Sequence, residues 1–294
     1  MIRIDEKACT ACGICGAVCP RHIPEAAFLH GEKVTVVSEE RRLLCMECGH
    51  CVAVCPRDAI EVQTLNDDDF APVRDVDIDG EALFLLLKQR RSVRVFTDTP
   101  IPREKIDAII NAARVAPTGT GKSSTGLIVI DDPDVLAELS EHAYMMYEKL
   151  ERLLRNPIAR MIVKRRAGKK GFRTLKDFVM PGMHWYIRWY REGKGNEILR
   201  GARVLMLFHS PTYEPVGEAN CLIAALHAVL MAEAMGIGSC FNDIIPPACN
   251  RVPEIRKLLS LSDDREVSAG VILGYPKYKF RKAPPRELSE VRYI

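Results

Sequence analysis

The sequence of 294 residues has little net charge, no long apolar run and no apolar stretch at its start. Its 42 lysines and arginines nearly balance 39 aspartates and glutamates, which argues against nucleic acid or an anionic membrane as a partner. The longest apolar run, near residues 82–87, is far shorter than the roughly 20 residues that cross a bilayer. Residues 1–5 begin no secretory signal, so we expect a soluble cytoplasmic protein without nucleic-acid or membrane partners.

Cysteine, by contrast, is abundant, with eleven residues in the chain. Disulfides are disfavoured in the cytoplasm, so metal ligation is the natural explanation for this number. The length exceeds that of one typical domain, and 47% hydrophobic residues suffice for a full core. We therefore expect two domains, at least one of which binds metal.

Eight of the cysteines form two runs that both read C-x2-C-x2-C-x3-C-P. The first run is Cys9, Cys12, Cys15 and Cys19, and the second is Cys45, Cys48, Cys51 and Cys55. Each member of the second run lies 36 positions after its counterpart (45 − 9 = 36), and Gly13 and Gly49 repeat at the same offset. The segment is therefore an internal duplication.

These runs resemble the bacterial two-cluster ferredoxins over roughly residues 1–62. The resemblance implies two 4Fe-4S clusters, in which the cysteine before each proline reaches across to the other cluster. The implied ligand sets are Cys9, Cys12 and Cys15 with Cys55, and Cys45, Cys48 and Cys51 with Cys19. A pair of zinc sites is the alternative, but zinc gives no reason for the x3-Cys-Pro ending. His50 is expected to lie on the solvent side and to influence only the cluster potential.

Residues 63–80 are expected to form an acidic linker. Between Asn66 and Asp79 the chain carries six aspartates and little apolar periodicity, which suits an exposed connector. Solvation explains this acidity better than a docking site for a basic partner. The predicted domains are therefore residues 1–62 and residues 81–294.

Four stretches of the second domain together carry a family resemblance. They are RRSVRVF at 90–96, APTGTGKSS at 116–124, GIGSCFND at 236–243 and GYPKYKFRK at 274–282. In the first stretch, guanidinium groups and a hydroxyl follow a predicted helix, which suits a phosphate, although basic residues also cap helix C-termini. In this order the stretches resemble the nitroreductase family, whose members bind FMN between the two subunits of a dimer.

Position by position, the resemblance implies that Arg90 and Ser92 hold the FMN phosphate. It also implies that Lys279 and Arg281, a cationic pair late in the sequence, complete the phosphate site. Arg94 is expected near the pyrimidine edge of the flavin, where a cation stabilises the reduced form. Backbone amides around Asn242 and Asp243 are expected near flavin N5. The expected cofactor-binding residues are Arg90, Arg91, Ser92, Arg94, Pro117, Thr118, Gly119, Asn242, Asp243, Lys279 and Arg281. No catalytic residue is assigned.

Residues 116–123 also satisfy a relaxed P-loop pattern. A P-loop needs a strand before it and a helix after it, whereas here residues 102–115 have helical periodicity and residues 126–131 read as a strand. An ATPase is therefore disfavoured. Gly121, Lys122 and Ser123 depart from the family pattern, in which Asn and Gln are usual, so flavin contacts and substrate preference are expected to differ here.

Residues 141–200 interrupt the resemblance with an insertion rich in basic, methionine and aromatic residues. Trp185 and Trp189 have helical i,i+4 spacing, as do Tyr186 and Tyr190. Two interpretations are open. The aromatic residues either pack this helix down, or they form a lid over the flavin whose basic residues attract an anionic substrate or an acidic electron-transfer partner.

Residues 216–235 predict a long, nearly all-apolar helix, which suits a dimer core. Cys221, Cys249 and His227 are expected to be structural, and Cys240 draws attention only because it lies beside the proposed flavin amides.

Together, these patterns predict a ferredoxin-like α+β domain followed by a nitroreductase-like three-layer α/β/α domain, in a dimer with FMN and two 4Fe-4S clusters per subunit. The expected reaction carries electrons from an external donor through the clusters to FMN, and on to a nitroaromatic, quinone or activated alkene. The donor is expected to be a one-electron protein such as ferredoxin, or NAD(P)H acting directly at the flavin. A non-catalytic electron-transfer module of a larger complex is the alternative.

Overall fold

The computed structural model describes residues 2–119 and 124–294. Its main division into two compact units lies between Asp77 and Ile78. Within the described residues, no helix combines the length and apolar character needed to span a membrane. The exact bounds predicted for the two domains and their linker stay a prediction.

The first unit contains four short strands and three short helices. They are β1 (Ile2–Ile4), α1 (Ile14–Val18), β2 (Pro24–Leu29), β3 (Glu32–Val37), α2 (Glu39–Arg42), α3 (His50–Ala53) and β4 (Ile60–Val62). Strand β1 pairs antiparallel with β4, and β2 pairs antiparallel with β3. Residues 67–69 form a single 3-10 turn after β4.

The sequence duplication is also a duplication of backbone conformation. Gly13 and Gly49 precede α1 and α3 with φ values of 80° and 75°, a region that glycine adopts without steric cost. Ala11 and Glu47 share a φ of 53°, two residues after the first cysteine of each run. Each cysteine run therefore folds into the same loop and helical turn.

The second unit is built on a sheet of four antiparallel strands. They are β5 (Gly126–Ile130), β6 (Val204–Pro211), β7 (Gly238–Phe241) and β8 (Arg265–Gly274), in the order β5-β6-β8-β7. The helices of this unit are α4 (Gly80–Gln89), α5 (Arg103–Arg114), α6 (Pro133–Arg155), α7 (Pro157–Thr174), α8 (Met180–Arg191), α9 (Gly217–Ala234), α10 (Ile245–Arg251) and α11 (Pro253–Leu258). Residues 275–294 follow β8 without helix or strand.

Helices cover both faces of this sheet, because successive side chains of a strand point to opposite faces. Leu205 and Leu207 of β6 join a core with α6, α8 and α10. Val204, Met206 and Phe208 join a second core with α5 and α9. From Val204 to Phe208 this strand is apolar on both faces, as expected for a strand that is buried on both sides.

The predicted insertion at 141–200 folds mainly as the second half of α6, then α7, a π-helical turn (Leu175–Val179) and α8. Asp132 and Asn156 cap the amino ends of α6 and α7 with their side chains. Gly168 interrupts α7 with φ 70° and ψ 173°, which divides that helix into two segments. Tyr144 and Tyr190 stack at 3.9 Å between ring centroids and tie α6 to α8.

Candidate cofactor sites

The first cavity of the N-terminal unit brings together cysteines from both runs. Its lining includes Cys9, Cys12 and Cys15 of the first run and Cys55, the last member of the second run. Cys15 is buried, and burial raises the pKa of its thiol, with smaller contributions from Cys12 and Cys9. The four sulfur atoms thus belong to one neighbourhood.

A second cavity shows the reciprocal arrangement. It is lined by Cys45, Cys48 and Cys51 of the second run and by Cys19 from the first. Burial and, to a smaller extent, the other three cysteines together raise the pKa of the Cys51 thiol to about 11. The two groupings match the crossed sets that the ferredoxin resemblance implies.

Backbone amides donate to these sulfur atoms at equivalent positions of the duplication. The amides of Ala11 and Glu47 donate to Cys9 Sγ and Cys45 Sγ, both over 3.4 Å. Two further amides, of Ile23 and Ala59, donate to Cys19 Sγ and Cys55 Sγ over 3.4 and 3.3 Å. Hydrogen bonds to sulfur are among the features that set the reduction potential of an iron-sulfur cluster.

The donor chemistry of these cavities fits iron-sulfur clusters. Each holds four thiols, and thiolates are the ligands of 4Fe-4S clusters. Among the described residues, no three histidine, cysteine, aspartate or glutamate side chains converge on a single metal ion. A cubane does not require such convergence, because its four cysteines bind four different irons.

In the second unit, residues 90–97 lie between two of the other predicted stretches. The amide of Val93 donates to the carbonyl of Ser239 over 2.9 Å. The amide of Thr97 donates to the carbonyl of Tyr275 over 2.8 Å. Three of the four stretches that carry the family resemblance therefore meet at this segment.

Two glycines allow this close approach. A Cβ atom on Gly238 would lie 2.8 Å from the side chain of Val93, and one on Gly274 would lie 2.7 Å from the ring of Phe96. Both distances are shorter than Cβ atoms tolerate. Glycine at these two strand positions therefore keeps residues 90–97 against the sheet.

Cations concentrate at the start of that segment. Arg90 is half-buried, and burial lowers its pKa, with a further lowering by the positive charge of Arg286. Glu233 of α9 opposes this repulsion, and its own pKa is raised by burial. An excess of guanidinium groups over carboxylates fits an anionic group such as a phosphate. Arg286 and Glu233 were not predicted from the sequence, because no local pattern links α9 or the C-terminal segment to residue 90.

Arg91 and Ser92 have different surroundings. Arg91 is 8% exposed, and its guanidinium donates to the carbonyl of Arg90 over 2.8 Å and to that of Lys88. It thus caps the carboxyl end of α4, the alternative role noted for basic residues there. Ser92 forms an isolated parallel bridge with Ser239, and Arg94 is exposed.

The loop after α5 carries Pro117, Thr118 and Gly119, none of which belongs to a helix or strand. Gly121, Lys122 and Ser123, where the chain departs from the family pattern, lie outside the described residues. The order of elements around this loop is helix, loop, strand, from α5 to β5. This is opposite to the order that a P-loop requires.

Asn242 is buried, and both its backbone and its side chain form hydrogen bonds within the protein. Its backbone amide donates to the carbonyl of Gly270 over 2.8 Å, and its side-chain oxygen accepts from the backbone amides of Ile244 and Ile245 at the start of α10. The backbone amide of Asn242 is therefore already engaged within the protein, and the contact of the amides around Asn242 and Asp243 with flavin N5 stays a prediction. Asp243, the other predicted residue, is exposed.

Lys279 and Arg281 lie in the segment that follows β8, and both are exposed. This segment is held beside residues 90–97, since the amide of Lys277 donates to the carbonyl of Val95 over 3.0 Å. Lys279 is therefore two residues from that hydrogen bond.

Comparison with known proteins finds a family match for each of the two parts of the chain. Residues 87–275 match the model of the nitroreductase family, and residues 8–60 match the model of a 4Fe-4S dicluster domain. The iron-sulfur match lies in the N-terminal unit, and the longer match lies in the second unit.

Curated relatives cover the chain to different extents. Iodotyrosine deiodinase 1 of Rattus norvegicus is 33% identical over 70 residues, which are 24% of this chain and 25% of that protein. The chain thus spans about a quarter of the length of the deiodinases that it matches. The "Putative NADH dehydrogenase/NAD(P)H nitroreductase" of Archaeoglobus fulgidus is 25% identical over 197 residues, covering 67% of this chain and 87% of that protein.

Among solved structures, a nitroreductase with bound FMN from Bacteroides fragilis is 18% identical in sequence. It aligns with a TM-score of 0.55 over 72% of this chain and 98% of its own length. At this identity the likeness concerns the fold.

Proposed function

The chain belongs to the nitroreductase family and carries an N-terminal 4Fe-4S ferredoxin domain, and from this premise we propose an electron path through the molecule. An external donor charges two 4Fe-4S clusters in the N-terminal domain, and the electrons pass to FMN in the second domain. The final acceptor is an organic molecule such as a nitroaromatic, a quinone or an activated alkene. The strongest support comes from the two cavities, whose cysteines group in the crossed manner of two-cluster ferredoxins.

In this proposal the N-terminal domain holds one cluster with Cys9, Cys12, Cys15 and Cys55 and the other with Cys19, Cys45, Cys48 and Cys51. The four amides that donate to sulfur stabilise the thiolate charge and thereby help to set the potentials. His50 stays outside both ligand sets.

In the second domain, Arg90 and Ser92 bind the FMN phosphate, and Lys279 and Arg281 complete the site from the segment after β8. Arg286 adds a further positive charge near Arg90. Arg94 supplies a cation at the pyrimidine edge of the flavin. When bound, FMN supplies the exchange between single electrons and electron pairs that the two partners of the reaction require.

A homodimer is part of the proposal, because two helices of the second domain expose apolar side chains. Phe84 of α4 is 59% exposed, and Leu222 and Leu226 of α9 are 42% and 45% exposed. Exposed apolar side chains on neighbouring helices suit an interface. A second copy of the chain would bury it, as the family resemblance implies.

A second candidate donor is NAD(P)H, which would act at the flavin without the clusters. The observation that favours it is the name of the Archaeoglobus fulgidus relative, which refers to NADH and NAD(P)H. The two donors are distinguished by whether cluster loss abolishes turnover.

The experiment that tests the proposed function uses anaerobically purified full chain loaded with FMN and iron. The protein is reduced with dithionite, the excess is removed, and a nitroaromatic or quinone is added in a stopped-flow instrument. We expect rapid acceptor-dependent reoxidation of the flavin absorbance. Reoxidation no faster than that of free FMN would identify the protein as an electron-transfer module instead.

A further inference from the structure

The second unit contains a groove between α6, α7, α8 and α10. Its volume is about 1060 Å³, at the upper end of the roughly 300–1,000 Å³ typical of small-molecule sites. Asp243 and Ile244 border it, and Asp243 is one of the predicted flavin-binding positions. The groove therefore adjoins the end of β7, where the flavin is proposed to bind.

Several apolar side chains that line the groove are exposed. Phe178 is 76% exposed and Leu153 is 41% exposed, whereas Met183, which also lines the groove, is buried. Helix α7, which contributes Val163, has no buried residue at all. An apolar body inserted here would remove this surface from water, which favours binding by about 25 cal/mol per Å².

One wall of the groove is held firmly. The hydroxyl of Tyr147 in α6 donates to the carbonyl of Ile244 over 2.9 Å, and Tyr147 is only 3% exposed. The opposite wall, α7, is divided at Gly168, whose φ of 70° lets residues on both sides of the break face the groove. The groove is therefore formed between α6, which is tied to Ile244, and the two segments of α7.

The charge of the lining is strongly unbalanced. Lys149, Arg166, Lys170 and Arg251 line the groove against one carboxylate, Asp243. Within the described part of the chain, none of these four cations forms an ion pair.

Three carboxylates of α6 are engaged by cations that do not line the groove. Glu141 and Glu148 both pair with Arg191 of α8, and Glu151 pairs with Arg155 and His184. A site with free cations and an apolar floor is complementary to an organic anion.

We propose that this groove selects the electron acceptor, and that the acceptor has a flat apolar body bearing a carboxylate or another acidic group. The inference rests on the proposed function, since it assigns the substrate class of the same reaction. Arg166 and Lys170 bind the acidic group, and the apolar lining holds the ring beside the flavin position.

The test compares two ligands that differ only in charge, 4-nitrobenzoate and its neutral amide, 4-nitrobenzamide. Their affinities for the oxidised, FMN-loaded full chain are measured by calorimetry, which requires no turnover. In Arg166→Ala/Lys170→Ala, the dissociation constant of 4-nitrobenzoate is expected to rise at least about tenfold, as for a lost charge-assisted contact. That of 4-nitrobenzamide is expected to stay within about twofold.

A matched control is available on the same helix. Lys164 and Lys169 are exposed cations of α7 that do not line the groove, so Lys164→Ala/Lys169→Ala removes equal charge from the same element. It should bind both ligands as the unaltered protein does. Equal weakening by the two double variants, or no preference for 4-nitrobenzoate in the unaltered protein, would overturn the inference.

A steric variant distinguishes a small ligand from a second protein copy. Gly182 lines the groove, and a Cβ atom there would meet nothing within 4 Å, so Gly182→Leu is chosen to place bulk in the groove. We expect loss of both ligands with an unchanged sedimentation coefficient. Unchanged ligand binding with dissociation of the oligomer would mean that a second copy fills the groove, and the inference would be wrong.

These outcomes are separable from a failure of the proposed function. If reduced protein transfers no electrons to either compound, the proposed function fails. Calorimetry still decides whether the groove prefers the anion.

Discussion

At the scale of single residues, the cysteine groups and the charged groups around Arg90 are assembled in different ways. Three thiols of each run lie together because a short loop and one helical turn separate them, and the fourth comes from the other run, as the ferredoxin resemblance implies. Arg286 and Glu233, by contrast, approach Arg90 from distant parts of the chain. Only the packing of α9 and the course of the C-terminal segment determine those contacts.

Arg90 is the residue whose loss should weaken FMN binding most. We expect Arg90→Ala to cost about 1.5–3 kcal/mol of FMN affinity, the range for a hydrogen bond to a charged group. Arg281 is exposed, so Arg281→Ala is expected to cost less, about 0.2–1 kcal/mol. Quenching of FMN fluorescence on titration with protein measures both. Arg292→Ala, which removes an exposed cation paired with Glu290, is the control.

If Arg90→Ala and Arg292→Ala retain FMN equally well, Arg90 does not contact the phosphate.

His209 predicts a pH dependence of stability. Burial and, to a smaller extent, the charge of Arg265 together lower its pKa to about 4, and Arg265 Nε donates to His209 Nδ1 over 2.6 Å. The ordinary histidine pKa is about 6.5, so between these values the unfolded chain binds more protons than the folded one. The contribution of His209 is therefore complete above pH 6.5 and is lost as the pH falls toward 4, by at most about 3 kcal/mol.

The measurement is urea unfolding at several pH values, followed by the fluorescence of Trp185 and Trp189, the two tryptophans of the chain. His209→Asn keeps an acceptor for Arg265 but cannot be protonated. Its stability should fall less between pH 6.5 and 4 than that of the unaltered protein. Parallel curves for the two proteins would show that His209 does not contribute.

At the scale of helices and strands, periodicity predicted several elements closely. The helix expected at 102–115 is Arg103–Arg114, and the one expected at 216–235 is Gly217–Ala234. The strand expected at 126–131 is Gly126–Ile130. The division of α7 was not predictable, because its charged sequence has no apolar periodicity and the break depends on the backbone of Gly168.

The close packing of residues 90–97 against the sheet leads to an element-level prediction. In Gly238→Ala the new methyl group would push Val93 away, and we expect a loss of about 1–3 kcal/mol in stability with weaker FMN retention, although no cation is removed. Val93→Ala would remove the two methyl carbons that lie 2.8 and 3.0 Å from the new Cβ atom, but would leave Cβ of residue 93 at 2.9 Å. FMN retention after gel filtration is therefore expected to recover in part in Gly238→Ala/Val93→Ala.

Val93→Ala alone controls for the loss of the valine itself. Failure of the double variant to exceed Gly238→Ala in FMN retention would mean that the position of residues 90–97 does not govern the flavin site.

At the scale of the whole molecule, the sequence predicted which domains are joined, and the family matches confirm the two domain types. The donor and acceptor could not be predicted, because they depend on surfaces and grooves assembled from separate elements. The covalent joining of a ferredoxin domain to a flavin domain nevertheless favours internal electron transfer, since a tether raises the effective concentration of one centre near the other.

The most direct test of this account is turnover in variants that lack a cluster ligand. Cys45→Ser and Cys51→Ser, each verified to fold and to retain FMN, are compared with Cys221→Ser, which alters a buried cysteine outside both runs. We predict that both cluster variants lose acceptor reduction driven by reduced ferredoxin, keep it when the flavin is reduced chemically, and that Cys221→Ser retains both. Full ferredoxin-driven activity without the clusters would show that electrons enter directly at the flavin, and would contradict the account.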